Sequence, residues 1–258
     1  GRKIEKGGSA AEGDLYIGSR DCRSIIYKGM FLAEHVTEFS PDLLDKRFTG
    51  RFAIYHQRYS TNTVPTWKLA QPFRRLAHNG EINTISGNIN WMKSHETRLS
   101  HPNLDPWMTD IKPLVQAGGS DTAVLDNVFE LLTFAGRDAP AAKTLMIPAS
   151  VGGNSSMKQS HKDMFAYCNA VMEPWDGPAA LCATDGRWVV AGLDRSGLRP
   201  LRYTVTDNDL LIVGSETGMV RVPEANIVTR GRLGPGDVIG VDLQEAKLYG
   251  NEELLDLL

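Results

Sequence analysis

Ala179-Ala-Leu-Cys-Ala-Thr184, Asp185-Gly186-Arg187 and Trp188-Val-Val-Ala-Gly-Leu193 are the residues that decide the fold class. Two apolar runs flank an Asp-Gly pair, and that dipeptide readily turns one strand back along another. A β-hairpin is therefore predicted. Downstream, Leu201–Thr206 and Leu210–Gly214 flank Asp207-Asn208-Asp209 and make a second hairpin candidate. Gly231–Asp237 is a turn-rich link, and Val238–Leu243 and Ala246–Tyr249 close the strand series. Upstream the period changes. Asn83–Leu99 places Ile85, Ile89 and Met92 on one helical face. Ser120 stands where an N-cap belongs, Val124, Val128, Leu131 and Leu132 follow at helical spacing, and Gly136 is the stop signal. Pro140–Met146 and His161–Met172 are two further helical stretches. Nearer the start, Leu15–Lys28 reads as one or two strands and Ala33–Leu44 as helical. Phe52–Gln57 alternates Phe52, Ile54 and His56 against Ala53, Tyr55 and Gln57, and reads as a buried strand. Leu76–His78 reads as a short strand. Strands, then helices, then antiparallel strands indicate an α+β or layered α/β/β/α arrangement. A parallel dinucleotide-binding sheet is not indicated, because no Gly-x-Gly-x-x-Gly follows a strand and no phosphate loop is present.

Composition narrows the function classes. A formal net charge of -3 gives no general attraction to nucleic acid or to an anionic membrane. No apolar run approaches the ~18 residues that span a bilayer. Residues 1–14 are set apart as a lead-in; their polar, glycine-rich composition is neither a signal nor a transit peptide. Cys22, Cys168 and Cys182 lie far apart, with no metal spacing and no disulfide framework, so a cytoplasmic setting is expected. The six histidines include no His-Glu-x-x-His, and no metal is expected.

Three polar stretches fall where strands end or helices begin. His56-Gln57-Arg58-Tyr59-Ser60-Thr61-Asn62-Thr63 offers a guanidinium fork for a carboxylate, with hydroxyls beside it; the alternative is an ion-paired structural arginine among turn formers. His78-Asn79-Gly80-Glu81-Ile82-Asn83 contains an Asn-Gly pair. It is either a tight hairpin turn or a side-chain amide next to a backbone N–H, both able to face a developing oxyanion. Gly118-Gly119-Ser120-Asp121-Thr122 is either a helix cap or a carboxylate placed for a substrate ammonium. Together they offer a cation, an anion and two oxyanion donors. That set can hold an amino-acid zwitterion while its side-chain carbonyl is attacked. By contrast, Asp194-Arg195-Ser196-Gly197-Leu198-Arg199-Pro200 reads as an ion-paired turn.

These stretches resemble the glutamine-pocket motifs of class II glutamine amidotransferases. Longer runs, Tyr55–Thr63, Gly87–Glu96, Met172–Pro178, Asp194–Arg202 and Gly214–Val220, resemble the glutamate synthase large subunit, and the likeness extends from Leu15 to about Tyr249. The resemblance implies an N-terminal-nucleophile hydrolase fold, a four-layer α/β/β/α sandwich with antiparallel sheets, incomplete at its N-terminal end, over 15–258. It implies that Arg58 binds the α-carboxylate of L-glutamine with help from Thr61, that Asp121 binds the α-ammonium, and that Asn79 and Gly80 form the oxyanion hole. It implies glutamine hydrolysis, with ammonia passed to a second site for reductive amination of 2-oxoglutarate. FMN and an iron–sulfur cluster serve that second site elsewhere in the large subunit, and a small flavoprotein subunit brings electrons from NADPH. The family's nucleophile is a first-residue cysteine, whereas this sequence starts at Gly1. Cys22 lacks the Cys-Gly context, so the chain on its own is expected to be inactive. The other readings are a binding or assembly module that keeps the pocket without the nucleophile, and a different class II relative.

Overall fold

The structure is a computed structural model that describes residues 16–19, 21–152 and 156–258. The proposed lead-in over 1–14 lies outside them. The hairpin at 179–193 forms as expected, and its turn shows why. Asp185 Oδ1 accepts the N–H groups of Arg187 at 2.8 Å and Trp188 at 2.7 Å, and Gly186 takes φ +89. The second carboxylate oxygen of Asp185 accepts the Ala139 N–H at 2.7 Å, so the turn also pins the start of a helix.

The regular elements in chain order are β1 (Leu76–Gly80), α1 (Ile85–Glu96), α2 (Asp121–Phe134), α3 (Ala139–Met146), α4 (Gln159–Val171), β2 (Ala179–Thr184), β3 (Trp188–Leu193), β4 (Arg202–Thr206), β5 (Leu211–Gly214), β6 (Ile227–Arg232), β7 (Val238–Asp242), β8 (Lys247–Tyr249) and α5 (Asn251–Leu257). Short helical turns occupy Ala33–His35, Val36–Phe39, Pro41–Leu44, Trp67–Leu69, Asp105–Trp107, Met108–Ile111 and Glu224–Asn226. The strands form two antiparallel sheets, ordered β1-β2-β3-β7-β8 and β5-β4-β6.

Period-2 alternation gives the first sheet two apolar faces. Leu181, Ala183, Val190 and Val238 face the helices and pack with Val124, Val128 and Phe129 of α2, Leu145 of α3, Phe165 of α4 and Leu254 of α5. Ala180, Ala191, Leu193 and Ile239 face the second sheet and pack with Leu201, Tyr203, Leu211 and Val213. The described residues thus build three layers, helices, sheet and sheet. The outer face of the second sheet carries exposed Arg202, Arg230 and Arg232. The expected fourth, helical layer is not formed over it by the described residues.

Five elements differ from expectation. Phe52–Gln57 is irregular and half-exposed or exposed, as are residues 16–19 and 21–28 of the expected Leu15–Lys28 strands. Alternation shows which side chains would share a face, but a strand also needs a neighbour to pair with. Here the nearest pairing is one bridge between Tyr59 and Ala70. Ile227–Arg232, not expected as a strand, pairs along β4. Asn251–Leu257 is a helix with Leu254 and Leu255 buried. Finally, Asn79–Gly80 is no hairpin turn: both residues stay in β1, opposite Ala180 and Ala179.

Candidate functional site

The 56–63 stretch is fixed by backbone pairing with residues 69–71. Gln71 N–H donates to Arg58 O at 3.1 Å, and Ser60 N–H donates to Leu69 O at 2.9 Å. The Arg58 side chain is exposed, and among the described residues no carboxylate pairs with it. The ion-paired structural arginine is therefore not what forms. Thr61 is exposed on the turn that follows, where Asn62 adopts φ +57.

Among the described residues β1 is the outermost strand, and its end is an open sheet edge. Its start is tied to α2 by Asp126, whose carboxylate accepts N–H groups from Arg74 at 3.2 Å, Arg75 at 2.7 Å and Leu76 at 3.1 Å. In the middle, the Gln71 side-chain amide donates to His78 O at 2.9 Å and accepts His78 N–H at 2.7 Å. Thr184 N–H donates to Arg75 O and Glu81 N–H to Pro178 O, so the odd residues of β1 face β2. Antiparallel alternation then leaves the Gly80 N–H on the open edge. Gly80 takes φ +150, and a Cβ built there would sit 1.7 Å from Pro178 O. The Asn79 side chain is exposed and makes no hydrogen bond among the described residues.

At the start of α2, Ser120 is the cap the sequence indicates, accepting the Ala123 N–H at 3.1 Å. Its hydroxyl also donates to Ser60 Oγ at 2.8 Å. Asp121 accepts the Ile82 N–H at 2.8 Å on Oδ2 and the Thr122 N–H at 2.7 Å on Oδ1. A third tie joins Asn62 Nδ2 to Glu81 Oε1 at 3.1 Å. Ser60–Ser120, Asp121–Ile82 and Asn62–Glu81 together draw the three polar stretches into one place, although they lie 60, 39 and 19 residues apart in sequence.

The Asp194 turn supports this place from behind. Asp194 accepts N–H groups from Ala179 at 2.8 Å and from Ser196 and Gly197 at 2.9 Å each, and Arg195 pairs with Asp176. The ion-paired turn read from the sequence is what forms. His78, quoted in the sequence but given no role there, is 2% exposed. Its imidazole is pushed down to about 4, first by burial and then by the charges of His56 and Arg199, against the opposite pull of Asp121 and Asp194. It is neutral at pH 7. Gln71 and His78 escaped notice because a buried amide clamp and a buried imidazole leave no local sequence period.

None of the three cysteines sits beside Asn79 and Gly80. Cys168 is in the helical layer, and burial raises its thiol. Cys182 faces the space between the sheets, and burial pushes it up to about 11. Cys22 is exposed beside Asp21, which pairs with Arg75 at the far end of β1. At ~3.3 Å per residue, Gly80 lies on the order of 15 Å from that end. Among the described residues, no group of histidine, cysteine or acidic side chains is arranged to hold a metal ion.

Comparison with known proteins gives the same direction. The chain is 59% identical over its full length to the glutamate synthase [NADPH] large chain of Azospirillum brasilense, of which it covers 17%. It is 41% identical over 98% of its length to the glutamate synthase [NADPH] large chain of Bacillus subtilis, again covering 17%. The chain thus spans about a sixth of the length of these relatives. A solved structure of an allosteric regulatory enzyme of purine biosynthesis aligns with 83% of this chain and 38% of its own at 19% identity and a TM-score of 0.46, too loose an overlap to bear on the assignment. Residues 2–257 match the family model of the class-II glutamine amidotransferases, and it is to that family that this chain belongs.

Proposed function

We propose that this chain is the glutamine-binding and oxyanion-stabilising part of the glutaminase domain of a glutamate synthase, which hydrolyses L-glutamine to glutamate and ammonia for reductive amination of 2-oxoglutarate. The observation that carries the reading is the meeting of the three polar stretches, one carrying Arg58, which pairs with no carboxylate among the described residues, and another carrying Asp121, held by two backbone N–H groups. Arg58 takes the α-carboxylate through its fork, with the Thr61 hydroxyl beside it. Asp121, at the start of α2, takes the α-ammonium. Asn79 and the edge N–H of Gly80 receive the oxyanion as the amide carbonyl is attacked. The three layers belong to the same reading, as part of the four-layer N-terminal-nucleophile sandwich.

The other components of a glutamate synthase fall, on this reading, to the remainder of the large subunit and to a small flavoprotein subunit. The described residues do not fit an iron–sulfur cluster. An iron–sulfur cluster needs several converging thiolates, and the three cysteines lie in three separate layers or surfaces.

In the full-length protein, Arg58→Lys should raise the glutamine KM roughly tenfold or more, because an ammonium does not reproduce a two-pronged contact. Asp121→Asn should raise it similarly by removing the charge that faces the ammonium. Steady-state ammonia release measures both, and near-normal KM in the pair would remove the pocket assignment. The placement of the cysteines leads to a further expectation: the purified 258-residue chain releases no ammonia from glutamine above background. Turnover by that chain, abolished by Cys22→Ser, would show that the nucleophile had been misplaced. Glutamine binding without turnover in the full-length protein would instead favour the pocket-only module.

A further inference from the structure

We propose that His78, as the neutral tautomer with its proton on Nδ1, is a positioning residue that holds Asp121 in the orientation that takes the substrate ammonium. The inference rests on the role given to Asp121 above.

The bonding pattern decides the tautomer. Thr122 Oγ1 lies 3.3 Å from Asp121 Oδ1 and 3.1 Å from His78 Nδ1. An ionised carboxylate only accepts, and a hydroxyl has one proton to give. If the hydroxyl gives that proton to Asp121, its lone pair must take a hydrogen from His78 Nδ1. The reverse arrangement would set two oxygens with facing lone pairs against each other. The chain of donors therefore runs from His78 Nδ1–H to Thr122 Oγ1–H to Asp121 Oδ1. It adds a side-chain donor to Oδ1, which already accepts the Thr122 N–H at 2.7 Å, while Oδ2 accepts the Ile82 N–H.

Two further observations fit a neutral imidazole. Its Nε2 is buried and has no hydrogen-bond partner among the described residues, which costs less for a bare acceptor than for the N–H of an imidazolium. The charged and titratable groups around the ring are Asp121, Asp194, His56 and Arg199, two of each tendency, so burial is left to decide, and it favours the uncharged ring. The backbone of the same residue is gripped on both polar groups by Gln71, so the ring is presented from a rigid strand.

The test uses the full-length protein, with glutamine kinetics and stability measured side by side. Leucine at 78 fills the space without a donor, and asparagine places an amide N–H near the position of Nδ1. His78→Leu is expected to raise the glutamine KM about fivefold with a smaller change in kcat, since the Thr122 hydroxyl loses the donor that turns its proton toward Asp121. His78→Asn should recover most of that loss. Thr122→Val should reproduce the His78→Leu effect, and the double variant should be no worse than either, because both break one chain. If His78→Leu and Thr122→Val lose stability but keep the wild-type KM, His78 is a structural core residue and the proposal falls. Asp121→Asn separates the two levels. A normal KM in that variant removes the role of Asp121 itself. A raised KM there with normal values in the other two removes only the role of His78. Should His78→Leu not fold, the ¹⁵N shifts of the wild-type imidazole decide. An Nδ1–H ring that does not titrate between pH 5.5 and 8 is expected, and an Nε2–H or titrating ring overturns the proposal.

Discussion

Gly80→Ala should cost several kcal/mol of stability and disorganise the site end of the edge strand. The added methyl carbon would lie 1.7 Å from Pro178 O, 2.7 Å from Pro178 C and 3.0 Å from Ala179 Cα. These are backbone atoms, so no rotamer change relieves the contact. The backbone angle, φ +150, is itself one that side chains rarely adopt. Relief requires β1 to move away from 178–179, which breaks the Glu81 N–H bond to Pro178 O at 2.9 Å. Gly177 meets the same crowding from the other side, since its Cβ would sit 2.0 Å from Glu81 O. The control is Gly87→Ala at an exposed position of α1, where a Cβ meets nothing within 4 Å. That change should stabilise by up to about 1 kcal/mol. Urea unfolding of the two variants measures the contrast. A midpoint for Gly80→Ala equal to that of Gly87→Ala would show that the close approach at 178 is not obligatory.

Asn79→Ala in the full-length protein should behave in the opposite manner, sparing the fold and removing the chemistry. The Asn79 side chain is exposed and bonds to nothing among the described residues, so stability should change by no more than about 0.5 kcal/mol. Removal of one oxyanion donor typically lowers kcat by about 100-fold to 1,000-fold, with KM moving less. The Gly80 N–H would remain, which keeps the residual rate above background. An Asn79→Ala protein that unfolds more easily but turns over normally would make the residue part of the scaffold.

The strands and helices of the later chain were legible because each carries its own local signature. Asp185-Gly186 makes a turn with its own side chain, and Ser120 caps with its own hydroxyl, so the residues that announce these features also build them. Phe52–Gln57 misled because alternation says nothing about a partner strand. Ile227–Arg232 was hidden because its residues are exposed or half-exposed, with arginines at 230 and 232, so no apolar period marks it. The Asn79-Gly80 pair misled in one respect only. The dipeptide reads as a turn, but the glycine is there for the approach of Pro178, a residue nearly one hundred positions away. Candidate site residues were visible as types, a cation, an anion and donors. Their convergence was not, because Ser60–Ser120 and Asp121–Ile82 are contacts between distant segments.

The grip of Gln71 on His78 has a consequence for how this protein behaves among its own copies. An outer strand with bare N–H and C=O groups is a template on which another chain can add a strand. The Gln71 amide presents one donor and one acceptor to that rim, and so occupies the position that a foreign backbone would take. Strand addition, and the fibrous association it can start, is thereby blocked at the middle of β1. Among the described residues, only the end of the strand, at Gly80, is left facing outward, too short a stretch to seat a strand but enough to present one N–H to an oxygen.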